Sequence, residues 1–145
     1  MSATTHPPTT GLRDAIAQHL LRVVSLKPAV IEPILCAIVA GGHVLLEGIP
    51  GIGKTLLART LAQLLDGEHK RIQFTNDLMP SDVVGAAIWR PDHGKFVFVR
   101  GPLFANLVLA DEINRTSPRT LSCLLEAMEN GRVSVDGRSI ELPQP

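Results

Sequence analysis

A glycine-rich stretch, EGIPGIGKTLL, carries the clearest chemistry in this sequence. Gly48 and Gly53-Lys54-Thr55 have the spacing G-x-x-x-x-G-K-[ST] of a phosphate-binding loop. Glycines let backbone N–H groups approach phosphate oxygens, and a helix that follows adds the positive end of its dipole. The lysine of such a loop contacts the β- and γ-phosphates, and the hydroxyl binds Mg²⁺. We therefore predict that phosphate is bound by Gly48, Ile49, Pro50, Gly51, Ile52, Gly53, Lys54, Thr55 and Leu56.

An acidic pair, Asp111-Glu112, is the second candidate centre because it follows the apolar run LVLA. An aspartate at the end of a buried strand can hold Mg²⁺, directly or through water. A glutamate beside it can polarise the attacking water. Such a pair is also common as a solvated strand end, but the glycine-rich loop upstream favours the chemical interpretation. We predict Thr55 and Asp111 as metal ligands, and Glu112 and Lys54 as catalytic residues.

Two further features have competing explanations. Asn114, Arg115 and Arg119 either begin a helix as ordinary polar residues or contact the nucleotide of a neighbouring subunit. The aromatic hairpin at 86–99 could stack on single-stranded nucleic acid. With so little basic sequence around it, a hairpin that supports folding or contacts between subunits is the favoured interpretation.

The charge and composition of the sequence argue against several classes of function. The 145 residues hold 14 Lys+Arg and 14 Asp+Glu, and 45% are hydrophobic, so one globular domain with a modest core is expected. The neutral balance argues against a nucleic-acid binder. The most apolar segment, 34–46, is interrupted by glycines and too short to span a membrane. No signal peptide is apparent, and the five histidines form no close-spaced ligand pair.

The two cysteines, Cys36 and Cys123, sit among apolar residues. We expect buried, reduced thiols, which favour a cytoplasmic protein.

Periodicity and turn residues predict the elements that position these groups. A strand at 43–47 should lead into the glycine-rich loop, and a helix should follow it. The helix after Pro118 should bury Leu121, Leu124, Leu125 and Met128. In chain order we expect helices at 12–24, 28–40 and 54–65, a strand at 71–75, a short turn or helix from 80 capped by Ser81 or Asp82, a hairpin at 86–99, a strand at 107–110, a helix at 118–129 and a hairpin at 132–142.

Strands that alternate with helices imply an α/β fold with an at least partly parallel sheet. Ligands of such sheets bind at the carboxyl ends of the strands. The glycine-rich loop and Asp111-Glu112 both fall at predicted strand ends, so we expect them to serve one site.

Three segments together resemble the MoxR family of AAA+ ATPases: EGIPGIGKTLLARTLA, RIQFTNDLMPSDVVG and GPLFANLVLADEINRTSPRTLSCLLEAMENGRVSVDG. The resemblance covers roughly residues 12–145. It implies a P-loop NTPase core of three layers, α/β/α, with a parallel sheet and two β-hairpin insertions. It makes 48–55 the Walker A motif and 107–112 Walker B, within a partial AAA+ core at 11–145 that follows a disordered leader at 1–10.

The same resemblance implies a function. Such proteins bind ATP with Mg²⁺, form rings that are usually hexamers, and hydrolyse ATP to remodel or mature protein clients, often with von Willebrand factor A domain partners. No nucleic-acid partner is expected. Two departures stand out: VSLK at 24–27 replaces a Val-Gly-Gln-type stretch near the adenine, and Asn76 stands where proline is common.

The family pattern continues beyond Pro145 with a strand carrying sensor 1, an arginine finger and a helical lid, so the core is expected to be incomplete at its C-terminus. A fragment of a longer ATPase is the resulting expectation. Two alternatives stay open: a truncated nucleotide-binding fragment without turnover, and a DNA-linked AAA+ regulator.

Overall fold

The computed structural model describes residues 9–24, 27–47 and 53–143. The chain divides into two compact units, Met1–Leu65 and Asp66–Pro145. The described residues of the first unit form three helices: α1 (Thr9–Val23), α2 (Pro28–Val39) and α3 (Lys54–Leu64).

The first unit is held by the packing of α1 against α2 and α3. Leu20 is fully buried on α1, and Ile31 and Ile34 are buried on α2. Pro28 occupies the start of α2, where its missing N–H leaves no bond unmade. Gly41, with φ of 64°, follows Ala40, the C-cap of α2. The predicted helices and their boundary residues are therefore confirmed to within a few positions.

The predicted strand at 43–47 is wrong in this structure: these residues adopt no regular secondary structure. Val44 is 42% exposed and Leu45 is 77% exposed. A strand exists only when its backbone groups pair with a neighbouring strand. None of the strands in the described ranges pairs with 43–47, so the apolar composition alone does not order it as a strand.

Residues 66–143 of the second unit, which the structure describes, form six strands, two α-helices and one 3₁₀ turn. Its elements are β1 (His69–Gln73), α4 (Pro80–Val84), β2 (Gly85–Arg90), β3 (Lys95–Arg100), β4 (Leu107–Asp111), the 3₁₀ turn Ile113–Arg115, α5 (Pro118–Asn130), β5 (Arg132–Val135) and β6 (Arg138–Glu141).

A parallel pair, β1 with β4, is the centre of the second unit. His69 pairs with Leu107 at one end of the register and Gln73 with Asp111 at the other. The N–H of Phe74 continues the ladder by donating to the Asp111 carbonyl at 2.9 Å. Phe74 is fully buried in an apolar cluster that lies beside this pair. The parallel pairing predicted for the α/β fold is thus confirmed.

The hairpin β2–β3 begins at a close contact between two glycines. Gly85 has φ of 104°, and a Cβ there would lie 2.2 Å from the Val99 carbonyl oxygen. A Cβ on Gly101 would lie 2.4 Å from the Val83 carbonyl oxygen. Both positions therefore require glycine. Tight backbone packing at this point fixes where the hairpin leaves the core.

The second hairpin, β5–β6, turns at Asp136-Gly137, where both residues have positive φ, 49° and 75°. Positive φ at both central positions is what a two-residue hairpin turn requires. Asp82 accepts from the N–H of Met79 at 2.8 Å at the start of α4. Both hairpins therefore agree with the sequence prediction, whereas the N-cap of α4 is Met79, and Asp82 contributes from the third position of the helix.

Three burial or boundary predictions were wrong. On α5 Leu124 is buried as predicted, together with Ala127, whereas Leu125 and Met128 are 52% and 38% exposed, because the face that packs is rotated from the predicted stripe. Cys36 is exposed rather than buried, although both cysteines are free thiols. Helix α1 already includes Thr9, which had been assigned to the leader; residues 1–8 lie outside the described residues.

Candidate functional site

The glycine-rich loop is described from Gly53 onward, and the predicted binding residues Gly48, Ile49, Pro50, Gly51 and Ile52 lie outside the described residues. Gly53 has φ of 84° and is the N-cap of α3. This left-handed conformation suits glycine, which lacks a Cβ. A Cβ at Gly53 would also lie 3.3 Å from Cγ1 of Val24. The left-handed backbone conformation at this position therefore favours glycine.

Lys54, Thr55 and Leu56 form the first turn of α3 directly after Gly53. The first N–H groups of a helix have no partner within the helix, and glycine offers no side chain to cap them. The positive end of the helix dipole lies at the same place. Lys54 is half-buried and Thr55 is exposed. This is the arrangement in which a helix start binds phosphate.

Asp111 is the last residue of β4, and its side chain is 17% exposed. It is held by an arginine that the sequence analysis did not single out. Nε of Arg71 donates to Oδ2 of Asp111 at 2.8 Å, and a terminal nitrogen of Arg71 forms an ion pair with the same oxygen, also at 2.8 Å. The same arginine donates to the Gln73 side-chain oxygen at 3.1 Å.

Glu112 has a left-handed backbone, with φ of 56° and ψ of 38°. This conformation is uncommon for a residue with a side chain and costs energy. Its carbonyl accepts from the N–H of Arg115 at 2.8 Å, which closes the 3₁₀ turn. Glu112 is exposed. The chain therefore turns sharply after β4 and leaves this carboxylate in solvent.

The polar residues that follow lie on two elements. Asn114 and Arg115 belong to the 3₁₀ turn, and Arg119 lies in the first turn of α5. Ser117 caps α5 by accepting from the Thr120 N–H at 3.2 Å. Ser117 therefore supplies the cap of α5, and the role of the arginines stays a prediction.

The structure thus brings the predicted residues together in two groups. Lys54 and Thr55 are adjacent at the start of α3 in the first unit, while Asp111 and Glu112 are adjacent at the end of β4 in the second. The assignment of Lys54 and Glu112 as catalytic, and of Thr55 and Asp111 as metal ligands, stays a prediction.

The donors in these groups suit Mg²⁺. The Thr55 hydroxyl of the first unit and the Asp111 carboxylate of the second are each a hard oxygen donor of the kind that Mg²⁺ prefers. Within the described ranges no cluster of three or more His, Cys, Asp or Glu side chains forms a metal site.

Arg71 and Gln73 are the contacts that sequence reasoning missed. Strand alternation places them on one face of β1, and Gln73 pairs with Asp111 in the parallel register. The alternation in HKRIQ was visible in the sequence. The pairing partner and its register were not, so the proximity to Asp111 could not be derived.

Helices long and apolar enough to cross a bilayer are absent from the part of the chain that the structure describes.

These features are those of an α/β protein of the P-loop NTPase class, and the comparisons agree. The ATPase family associated with various cellular activities (AAA) matches residues 43–145. The uncharacterized protein YeaC of Bacillus subtilis is 51% identical over 128 residues, covering 88% of this chain and 40% of its own length. The chaperone MoxR1 of Mycobacterium tuberculosis is 43% identical over 124 residues, 86% of this chain and 33% of its own length.

A crystal structure of a candidate ATPase from Cytophaga hutchinsonii superposes with a TM-score of 0.78 at 39% identity, over 94% of this chain and 42% of that one. The chain therefore belongs to the AAA family of ATPases, and its resemblance to the MoxR branch is confirmed. The α/β P-loop fold class is confirmed as well. The chain spans less than half the length of these relatives.

Proposed function

We propose that this chain binds ATP with Mg²⁺ and that, as part of a ring, it hydrolyses ATP to remodel partner proteins. The observation that carries the proposal is the start of α3. A left-handed Gly53 is followed at once by Lys54 and Thr55, within a chain that belongs to an ATPase family.

Each side chain has a role in this proposal. The loop amides and Lys54 bind the phosphates, and Lys54 offsets negative charge that grows on the transferred group. The Thr55 hydroxyl and the Asp111 carboxylate would hold Mg²⁺, which when bound neutralises phosphate charge. Glu112 orients a water molecule and accepts its proton. Its exposure in the described structure leaves the carboxylate accessible to that water.

The ring and its clients are proposed from the family. One relative is named a chaperone, MoxR1, which supports a chaperone-like role. A hexamer, protein clients and von Willebrand factor A domain partners follow from the MoxR resemblance, and Arg115 and Arg119 are the residues we propose to face a neighbouring subunit's nucleotide. A cytoplasmic location stays a prediction.

Calorimetric titration of the chain with ATP and Mg²⁺ tests the binding part. Lys54→Ala should weaken binding roughly 10- to 100-fold, because a charge-assisted hydrogen bond contributes about 1.5–3 kcal/mol. Lys70→Ala is the matched control. Lys70 is a strand lysine paired with Glu68 on the surface, and its loss should leave ATP affinity unchanged. Equal affinities of wild type and Lys54→Ala would refute the proposed phosphate site.

Turnover is tested in the ring form. Glu112→Gln there should retain ATP binding and slow hydrolysis by roughly 10²- to 10⁴-fold, since the variant cannot accept the proton. Hydrolysis at the wild-type rate would remove Glu112 from its proposed role. ATP hydrolysis by the 145-residue chain itself would count against the alternative of a binding fragment without turnover.

The remaining alternative is a DNA-linked regulator. Such a protein would bind single-stranded DNA through the hairpin β2–β3. Trp89 and Phe96 are 50% and 67% exposed there and lie beside Arg90 and Lys95. With the chain neutral overall, we expect no salt-dependent binding to single-stranded DNA. Such binding, if lost in Trp89→Ala, would favour the regulator instead.

A further inference from the structure

Arg71 contacts one of the two oxygens of the Asp111 carboxylate, Oδ2. Nε of Arg71 donates to Oδ2, and a terminal nitrogen of Arg71 forms an ion pair with the same oxygen, so Arg71 itself leaves Oδ1 to another partner. We propose that Arg71 is the positioning residue that aims Oδ1 of Asp111 at Mg²⁺ or at a water molecule bound to it. The inference rests on the proposed function, because it takes Asp111 to be a metal ligand.

The arginine is itself held in place. Gln73 accepts from a terminal nitrogen of Arg71 at 3.1 Å, and the two residues lie on the same face of β1. Three side chains from two paired strands therefore form one chain of contacts, Gln73 to Arg71 to Asp111. A guanidinium is planar and rigid, so two of its nitrogens on Oδ2 restrict the position of that oxygen and thereby the directions that Oδ1 can take.

A purely structural role explains this arrangement less well. Five residues of β1 are already paired with five of β4 through the backbone. The Arg71 side chain is 49% exposed, and ion pairs in such settings add little to stability. Asp111, at 17% exposed, is the more enclosed partner. The contact therefore does more to orient a carboxylate at the carboxyl end of the sheet than to hold the strands together.

Partners that orient a metal ligand without touching the metal have a measurable effect. Their loss typically weakens metal binding roughly 10- to 100-fold, because the ligand loses its fixed direction. For Asp111 the relevant quantity is the gain in ATP affinity that Mg²⁺ produces.

The test is the ratio of two dissociation constants for ATP measured on the full 145-residue chain, one in EDTA and one in excess Mg²⁺. Damage to the fold weakens both affinities together and leaves the ratio unchanged, whereas misaiming of Asp111 lowers the ratio. We expect Asp111→Asn to lower it most, and Arg71→Ala to lower it roughly tenfold or more. Arg71→Lys should restore part of the ratio, because one donor can still reach Oδ2.

Two further variants sharpen the experiment. Gln73→Ala removes the support of Arg71 without touching Asp111 and should lower the ratio by a smaller factor. Arg132→Ala is the matched control: Arg132 is also a half-exposed strand arginine in an ion pair, with Glu141 at 3.8 Å, and its loss should leave the ratio at the wild-type value.

The outcomes separate the two proposals. If wild type binds ATP with a Mg²⁺-dependent gain and Arg71→Ala keeps that gain, the inference is overturned and the proposed function stands. If Arg71→Ala raises the gain, Arg71 competes with the metal for Asp111, and the positioning role is overturned. If wild type binds no ATP in either condition, the proposed function fails and the inference fails with it.

Discussion

Two apolar runs of this chain, HVLLE at 43–47 and LVLAD at 107–111, have nearly the same pattern but different structures. Each ends in an acidic residue, and each was predicted to be a strand that leads to phosphate chemistry. LVLAD is β4, paired with β1 over its whole length. HVLLE has no regular structure, and its Leu45 is 77% exposed.

The difference lies in what surrounds each run. Val108 and Ala110 of β4 pack against the buried cluster of the second unit, which includes Ile72 and Phe74 of the neighbouring chain segment. Backbone pairing and side-chain burial there reinforce each other. Because a strand satisfies its backbone only through another strand, composition can predict where a strand is possible but not whether it forms.

The largest effect on stability is expected from a substitution that removes a buried side chain from the apolar cluster beside β1 and β4. Phe74→Ala should lower the free energy of unfolding by about 3–5 kcal/mol, because the ring is fully buried and its loss leaves a cavity. That is a large share of the ~5–15 kcal/mol typical of whole proteins. Urea denaturation followed by circular dichroism measures it.

The control for this prediction is the same substitution on the hairpin. Phe96 is 67% exposed and contacts Trp89 edge-on at a centroid distance of 5.2 Å. Phe96→Ala should therefore cost only about 0.5–1.5 kcal/mol. If both variants lost the same unfolding free energy, burial beside β1 and β4 would not be what orders LVLAD as a strand.

Sequence reasoning succeeded where the cause is local. Helix α5 runs from Pro118 to Asn130, within one residue of the predicted bounds 118–129, and Gly131, with φ of 62°, follows it. Asp136-Gly137 likewise specified its turn. Side-chain hydrogen bonds and positive φ depend on a few adjacent residues, so one sequence window contains the information.

Sequence reasoning failed where a structural feature depends on residues that are far apart in the sequence. The buried face of α5 depends on which elements pack against it, and Leu125 was therefore placed wrongly in the core. The candidate site shows the same division. Asp111 and Lys54 could be proposed from their motifs, whereas the contact of Arg71 with Asp111 required the register of two strands 40 residues apart.

A middle-sized effect is expected at the loop that follows β1. The Thr120 hydroxyl of α5 is completely buried and donates to the Leu78 carbonyl at 2.7 Å. Thr120→Val keeps the shape but leaves that carbonyl without its donor, which should cost about 1–3 kcal/mol in unfolding free energy. Thr120→Ser keeps the hydroxyl and should recover part of the loss. Full stability of the valine variant would show that β1 is held by its apolar contacts alone.

The smallest effect is expected within the two runs themselves, at their second residues. Val44 is 42% exposed, whereas Val108 packs against the buried cluster. Val44→Ala should change the unfolding free energy by no more than about 0.5 kcal/mol. Val108→Ala should cost on the order of 1 kcal/mol, since it withdraws two partly buried methyl groups from the core.

The same substitution at matched positions isolates the effect of the surroundings, because the residue, the pattern and the change are identical. Parallel urea titrations of the two variants measure the difference. If Val44→Ala costs as much as Val108→Ala, then 43–47 is packed in solution as β4 is, and the two runs do not differ in the way the structure shows. If only Val108→Ala matters, pairing with β1 and burial against its neighbours distinguish LVLAD from HVLLE.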